Sequence, residues 1–330
     1  MRKENIMTGL RVSPSPHRSA GLTTQKIMLM VIIALLPAAI MGCVYFGVKA
    51  ALVLIQTIIY CVAFEALFAV VTKRPQTVSD LSAVVTGLLL GMNLPATVPF
   101  YVPLIGSFFA IVIVKQLFGG IGQNFANPAI AARIVLMVSF SSQMTNWAVP
   151  FWYKNSADVV TGATPLAASW FDNGSAMVSP FTFKDMLLGT TGGCIGETCA
   201  LALIIGGIFL IVMGVISPAT PIAFIGIFGV LTLCYTGSLT MTVYQLLAGG
   251  LMIGAFFMAT DYATTPLTTK GKVVFGAGCA IITFVIRQFG SFPEGVSFSI
   301  LLMNLLTPYI DKLCKTKPLG AKKPVKEAAK

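Results

Sequence analysis

Charge is scarce in this chain. Only 10% of its 330 residues are Asp, Glu, Lys or Arg, against about 25% in soluble domains. The shortage falls on the acids, of which there are 11 against 22 basic residues. A soluble fold of this length needs more polar surface than these residues supply. Histidine is rarer still: His17 is the only one, which excludes haem held by two histidines of this chain and any His-rich metal site. The seven cysteines are Cys43, Cys61, Cys194, Cys199, Cys234, Cys279 and Cys314, and they form no Cys-x-x-Cys pair. The chain by itself therefore lacks the ligand pattern of an iron–sulfur cluster or zinc site. Most of them lie in apolar runs and read as small buried hydrophobes. Cys194 and Cys199 flank a Gly-rich turn, a spacing that permits a disulfide. A glycine-rich nucleotide fingerprint is also missing.

What fills the sequence is apolar: 56% of residues are hydrophobic and the mean hydropathy is +0.87. The pattern predicts an all-α, polytopic membrane protein with about ten spans, from the length of about 20 residues that a helix needs to cross the hydrocarbon core. The first five fall near 27–47, 50–71, 81–95, 101–118 and 128–146. The second five fall near 197–216, 220–235, 242–259, 272–289 and 296–313. The lead before Ile27 is polar and contains Pro, so the first run reads as a span and not as a cleaved signal peptide. The halves resemble each other. Leu88-Leu89-Leu90-Gly91-Met92 parallels Leu251-Met252-Ile253-Gly254-Ala255, and Lys115-Gln116-Leu117-Phe118-Gly119 parallels Arg287-Gln288-Phe289-Gly290. Five spans per repeat is an odd number, so the repeats are expected to insert with opposite orientation. Runs 81–95 and 242–259, at matched positions, are short or rich in Gly.

The net charge of +11 does not point to nucleic acid, because the basic residues cluster before the first span and after the last. They are topology signals. With both termini in the cytoplasm, 18 Lys/Arg lie inside and four (Lys49, Lys154, Lys184 and Arg287) outside. The expected segments are a cytoplasmic lead (1–26), a first repeat (27–146), an external loop (147–196), a second repeat (197–313) and a cytoplasmic tail (314–330). Basic tails beside anionic lipid are the simplest reading of the termini, and Trp147, Trp152 and Trp170 suit interfacial anchoring.

The external loop holds Asp158-Val159-Val160-Thr161-Gly162-Ala163-Thr164. These residues resemble the acceptor Asp-x-x-(Ser/Thr)-Gly-Ala-Thr, on which a flavin transferase joins FMN to the last Thr by a phosphoester bond. Such an acceptor has to be bendable and open to a foreign active site. Gly162 and Ala163 allow close approach, and Pro165 biases Thr164 toward an extended conformation. Read locally, the same residues are an ordinary turn. The resemblance extends along the chain through Gly119–Asn124, Asn127-Pro128-Ala129, Asp261–Pro266, Arg287–Gly290, Pro293–Val296 and Leu301–Asn304. On these residues the chain resembles the NqrB/RnfD family. That family unites a membrane component of the Rnf complex, an ion-pumping ferredoxin:NAD⁺ oxidoreductase, with one of the sodium-pumping NADH:quinone oxidoreductase. The lack of a long N-terminal extension favours the Rnf side.

The resemblance implies a membrane electron-transfer subunit that couples electron flow to movement of Na⁺ or H⁺. It implies covalent FMN on Thr164, with Asp158, Thr161, Gly162 and Ala163 as the attachment motif, and a non-covalent riboflavin nearer the cytoplasm. It implies Rnf subunits A, B, C, E and G as partners, a transferase for maturation, contact with ferredoxin and NAD⁺ through other subunits, and an inner-membrane location. No metal site is expected, nor catalytic residues of a complete enzyme. Asn124, Asn127 and Arg133 lie on the side expected for the riboflavin without a specific signature. Glu65, an acid inside the second run, is a candidate for an ion path or a structural carboxylate. Asp261, Thr264 and Thr265 are candidates for a cation site or the second flavin pocket, and helix capping is the simpler role for Asp80 and Asp261. A five-plus-five carrier of urea-transporter type fits the spans equally well but gives no reason for Asp158–Thr164.

Overall fold

The computed structural model describes residues 23–155, 162, 164–166, 182–290 and 294–315. Among these residues the regular structure is helical, without an extended strand. The first half comprises α1 (Thr24–Phe46), α2 (Val48–Val71), α3 (Ser82–Met92), α4 (Tyr101–Gln116) and α5 (Pro128–Ser139). A short α6 (Phe183–Leu188) follows in the connecting region. The second half comprises α7 (Ala200–Val212), α8 (Ala219–Thr236), α9 (Leu239–Leu247), α10 (Leu251–Met258), α11 (Thr269–Phe289) and α12 (Val296–Leu313).

Local chemistry sets the helix starts. Thr23 accepts the Lys26 amide at 3.3 Å. Asn127 accepts the Ala129 amide at 3.1 Å ahead of Pro128, a cap followed by a proline at the first helical position. Gly47 separates α1 from α2 at φ +73°, and a Cβ there would lie 2.9 Å from the Tyr153 ring. Small residues bring helices close: a Cβ on Gly206 of α7 would meet the Ala34 carbonyl of α1 at 2.2 Å, and one on Gly91 of α3 would meet Thr57 of α2 at 2.5 Å.

Apolar helices occupy all ten expected positions, but fewer are full spans. Among the described residues four helices (α1, α2, α8 and α11) are long and apolar enough to cross a membrane, and the α9–α10 pair, bent by 67°, makes up to five. The shorter helices stop because chain beside them stays inside the protein without being helical. Asn93, Leu94, Ala96, Cys194, Ile195 and Thr198 are all buried. Irregular backbone at membrane depth is tolerated where protein surrounds it. The two matched segments flagged as short or Gly-rich, now α3 and α10, are the most enclosed. Ten of the 11 residues of α3 are buried, as are Leu251 through Met258.

The fold also changes the charge count. Lys115 and Arg133 are buried, and Arg287 donates to the carbonyls of Gln245 and Ala248. None of the three is a loop charge. Taking two from 18 and one from four leaves 16 against three, so the asymmetry persists. Cys194 and Cys199 are free thiols, and the disulfide that their spacing permitted is not formed.

Candidate functional site

Thr164 is not on an open surface. It is buried, with 9% of its area exposed, in the wall of a small cavity of about 20 Å³ that Trp147, Thr191, Gly192, Gly193 and Leu166 also line. The Gly162 amide donates to the Trp147 carbonyl at 3.0 Å, which ties the motif to the end of the first half. Asp158, Thr161 and Ala163 lie outside the described residues. Thr164 itself is thus enclosed, where the resemblance led to the expectation of an open acceptor.

The inner wall of this cavity contains Glu197 and Glu294. Between them lies Arg133 of α5, only 3% exposed. Its Nη2 donates to Glu197 Oε1 at 2.8 Å and to Glu294, and its Nη1 donates to the Asn93 side chain. Glu294 Oε1 also accepts the Gly250 amide at 3.0 Å. The break between α9 and α10 therefore has an anion at the amide end of α10. At the carbonyl end of α9, Arg287 donates to Gln245 O at 2.7 Å and Ala248 O at 3.1 Å. Each charge matches the helix end that it meets. Sequence reasoning missed Glu197 and Glu294. Their signal was scarcity: both are among only 11 acids, and each sits beside Gly next to an apolar run.

A second, larger cavity of about 130 Å³ shares no lining residue with the first. Apolar residues of α1, α3, α7 and α10 line it, together with Ser82, Lys115, Asn124, Asn127 and Asp261. Asn127 Nδ2 donates to Met258 O at 3.3 Å. Thr264 Oγ1 donates to Asp261 Oδ2 at 3.2 Å and Thr265 Oγ1 to Asp261 O at 2.7 Å. Burial in the cavity wall pushes the Asp261 carboxyl up, against hydrogen bonds from Thr264, the local backbone and Asn124. Asp261, Asn124 and Asn127 thus share one cavity. Thr264 and Thr265 brace Asp261 from behind, and Arg133 belongs to the other cluster.

Glu65 lies apart from both sets. It is fully buried and accepts from Lys115 at 2.9 Å, Gln116 at 3.0 Å and Thr77 at 2.7 Å. Lys115-Gln116 and Arg287-Gln288, paired by sequence similarity, each tie a helix end to its own half. Gln288 donates to Gln245 Oε1 at 3.0 Å. Among the described residues no group of three His, Cys, Asp or Glu is arranged to hold a metal ion.

These two cavities and the buried ion cluster belong to a chain that has relatives along its whole length. Residues 11–320 match the NQR2, RnfD, RnfE family. The chain belongs to this family. It is 46% identical over 321 residues to the D subunit of the Na⁺-translocating ferredoxin:NAD⁺ oxidoreductase complex of Acetobacterium woodii, with 97% of this chain and 98% of that one covered. It is 42% identical to the D subunit of the proton-translocating ferredoxin:NAD⁺ oxidoreductase complex of Clostridium ljungdahlii, with the same coverage. It is 36% identical to the D subunit of the ion-translocating oxidoreductase complex of Stutzerimonas stutzeri, over 90% of this chain and 92% of that one. Family membership displaces the carrier of urea-transporter type. As a member of the NQR2, RnfD, RnfE family the chain is a polytopic membrane protein.

Proposed function

We propose that this chain is the membrane subunit of an Rnf-type ferredoxin:NAD⁺ oxidoreductase, and that it carries FMN covalently on Thr164 and couples electron transfer to the movement of Na⁺ or H⁺. The observation that carries the reading is the position of Thr164: the last residue of an acceptor-like motif opens into a cavity and not onto a random surface. The small residues around it leave room for a phosphoester, and the flavin ring would extend beyond this small cavity. Gly192 and Gly193 present no side chain, and Thr191 offers a hydroxyl. At Gly249 a Cβ would lie 2.5 Å from Leu166 and 3.2 Å from Glu294, so only a bare backbone leaves this space open. The FMN supplies the electron-carrying chemistry when attached. The protein holds the loop, keeps the phosphate near the external surface, and seals the inner wall with Arg133, Glu197 and Glu294.

The larger cavity suits a second, non-covalent flavin, for which riboflavin is the family expectation. Its apolar walls match a ring, and Asn124, Asn127 and Asp261 offer hydrogen bonds. The charge asymmetry supports cytoplasmic termini and an external Thr164 loop. Rnf subunits A, B, C, E and G would complete the electron path from ferredoxin to NAD⁺. The relatives named for Na⁺ and for protons are similarly close to this chain, so both ions stay within the proposal. Membership of a sodium-pumping NADH:quinone oxidoreductase is the other family role, and assay of the assembled complex with ferredoxin against quinone separates the two.

The test is denatured protein on a gel under ultraviolet light, after coexpression with a flavin transferase. Wild type should fluoresce and Thr164→Ala should not, and mass spectrometry should find FMN on the peptide between Lys154 and Lys184. Fluorescence that survives the substitution would move the attachment elsewhere.

A further inference from the structure

Beside the larger cavity, four side chains form an unbroken line from half-buried Asp80 to fully buried Glu65. Ser82 Oγ donates to Asp80 Oδ1 at 2.6 Å. Lys115 Nζ donates to Ser82 Oγ at 2.6 Å and to both Glu65 oxygens at 3.1 and 2.9 Å. Lys115 is 3% and Ser82 6% exposed, and both line the cavity.

Capping alone does not require this arrangement. Asp80 already caps α3 by accepting the Ser82 amide at 2.9 Å, and Asn would do the same. Two further features hold the line in register. Leu81 adopts φ +65°, a left-handed conformation rare for a branched apolar residue, and it turns the Asp80 carboxylate onto Ser82. Lys115 sits in the π-helical stretch Phe109–Gln116, a distortion frequent at functional sites. The charged and titratable groups around Lys115 are Glu65 and Cys61 of α2, Asp80 before α3, Arg74, whose Nη1 reaches Gln116 O at 3.3 Å, and Asp261 and Tyr262 across the cavity. The cavity-facing residues of α1, α7 and α10, namely Met28, Val31, Leu210 and Phe257, carry no titratable group.

We propose that Asp80, Ser82 and Lys115 form a proton relay that serves the redox ligand of the larger cavity. The inference rests on the reading of that cavity as a flavin site. A ring that gains negative charge on reduction takes up a proton to balance it, and the cavity is otherwise largely apolar. The Lys115 ammonium gives up one proton to the reduced ring and becomes a neutral amine. The Ser82 hydroxyl proton then moves to that amine, while Ser82 takes a proton passed from solvent by way of Asp80. One proton passes from solvent to the ring, and the relay residues end as they began. Glu65 keeps the ammonium form stable and aligned between turnovers.

The test uses the whole complex with Asp80→Asn, Ser82→Ala and Ser82→Thr. Acid extraction measures the non-covalent flavin. A pH-indicator dye in weak buffer follows proton uptake after reduced ferredoxin is added. We expect full flavin in Asp80→Asn, proton uptake slowed about tenfold or more in Asp80→Asn and Ser82→Ala, and recovery in Ser82→Thr, which restores a hydroxyl. Wild-type uptake rates in both slowed candidates, with flavin present, overturn the relay alone. Loss of flavin from Asp80→Asn assigns Asp80 to binding and also overturns it. A wild-type complex without extractable flavin removes the cavity reading, and the relay with it.

Discussion

Replacing Arg133 with Met should leave two buried carboxylates facing each other across the cavity wall. Arg133 is the cation shared by Glu197 at 2.8 Å and Glu294, and all three side chains are at least nine-tenths buried. With Arg133 present, the cluster of Arg133, Arg287, Glu197 and Glu294 is electrically balanced. Without it, Arg287 remains near Glu294, but Glu197 loses its ion-pair partner. Breaking a buried pair by removing one member costs about 3–5 kcal/mol. For a chain of this size that corresponds to a fall of roughly 5–10 °C in the unfolding midpoint. Tryptophan fluorescence of the detergent-solubilised protein during a thermal ramp measures it. The decisive comparison is with Arg133→Met/Glu197→Gln, which removes the stranded charge and restores balance. If electrostatics governs, the double variant regains more than half of the loss, a coupling on the order of 2 kcal/mol. If packing of the Arg133 stem governs instead, the double variant is at least as unstable as the single one, and the charge argument is wrong.

The break between α9 and α10 supplies another prediction. Gly249→Ala meets both a left-handed backbone, φ +63°, and Leu166 at 2.5 Å, so it should cost about 1–3 kcal/mol and push the Thr164 loop outward. In-gel fluorescence should fall several-fold, while Gly226→Ala, with nothing within 4 Å of its added Cβ, leaves it unchanged. At α6, the Asp185 carboxylate is held below its ordinary value by the Thr182 amide at 2.9 Å and the Thr190 hydroxyl at 2.8 Å. Its folded pKa is depressed, so its contribution is complete above the unfolded value of about 3.9 and is lost as pH falls through the folded pKa. Amide exchange of Phe183–Leu188, corrected for intrinsic rates, should therefore quicken on acidification below about pH 3.9. Asp185→Ala should quicken it several-fold at neutral pH and abolish the acid response; an unchanged acid response in that variant refutes the assignment.

Much of this molecule was legible along one dimension. Apolar runs gave ten helical positions, because hydrocarbon-facing length and composition are local properties. The motif ending at Thr164 was legible because an enzyme that modifies a chain reads consecutive residues. The Gly-rich runs 81–95 and 242–259 also marked the short α3 and the bent α9–α10 pair. Other readings stayed hidden. Lys115 and Arg133 looked like loop charges, since a basic residue near a run's end reads the same whether it faces solvent or a carboxylate. Glu65 did not reveal that its partners are Lys115, 50 residues away, and Gln116, 51 away.

The sequence alone thus determined that this chain lives in a membrane, that its halves carry similar short motifs, and which threonine resembles a flavin acceptor. Tertiary structure decided which helices fall short of a full span, that Thr164 is enclosed, and that Arg133 joins Glu197, 64 residues away, to Glu294, 161 residues away. The division has a physical cause. Partition into a bilayer depends on a segment's own composition, whereas a charge buried in protein is stable only beside an opposite charge that distant parts of the chain must deliver.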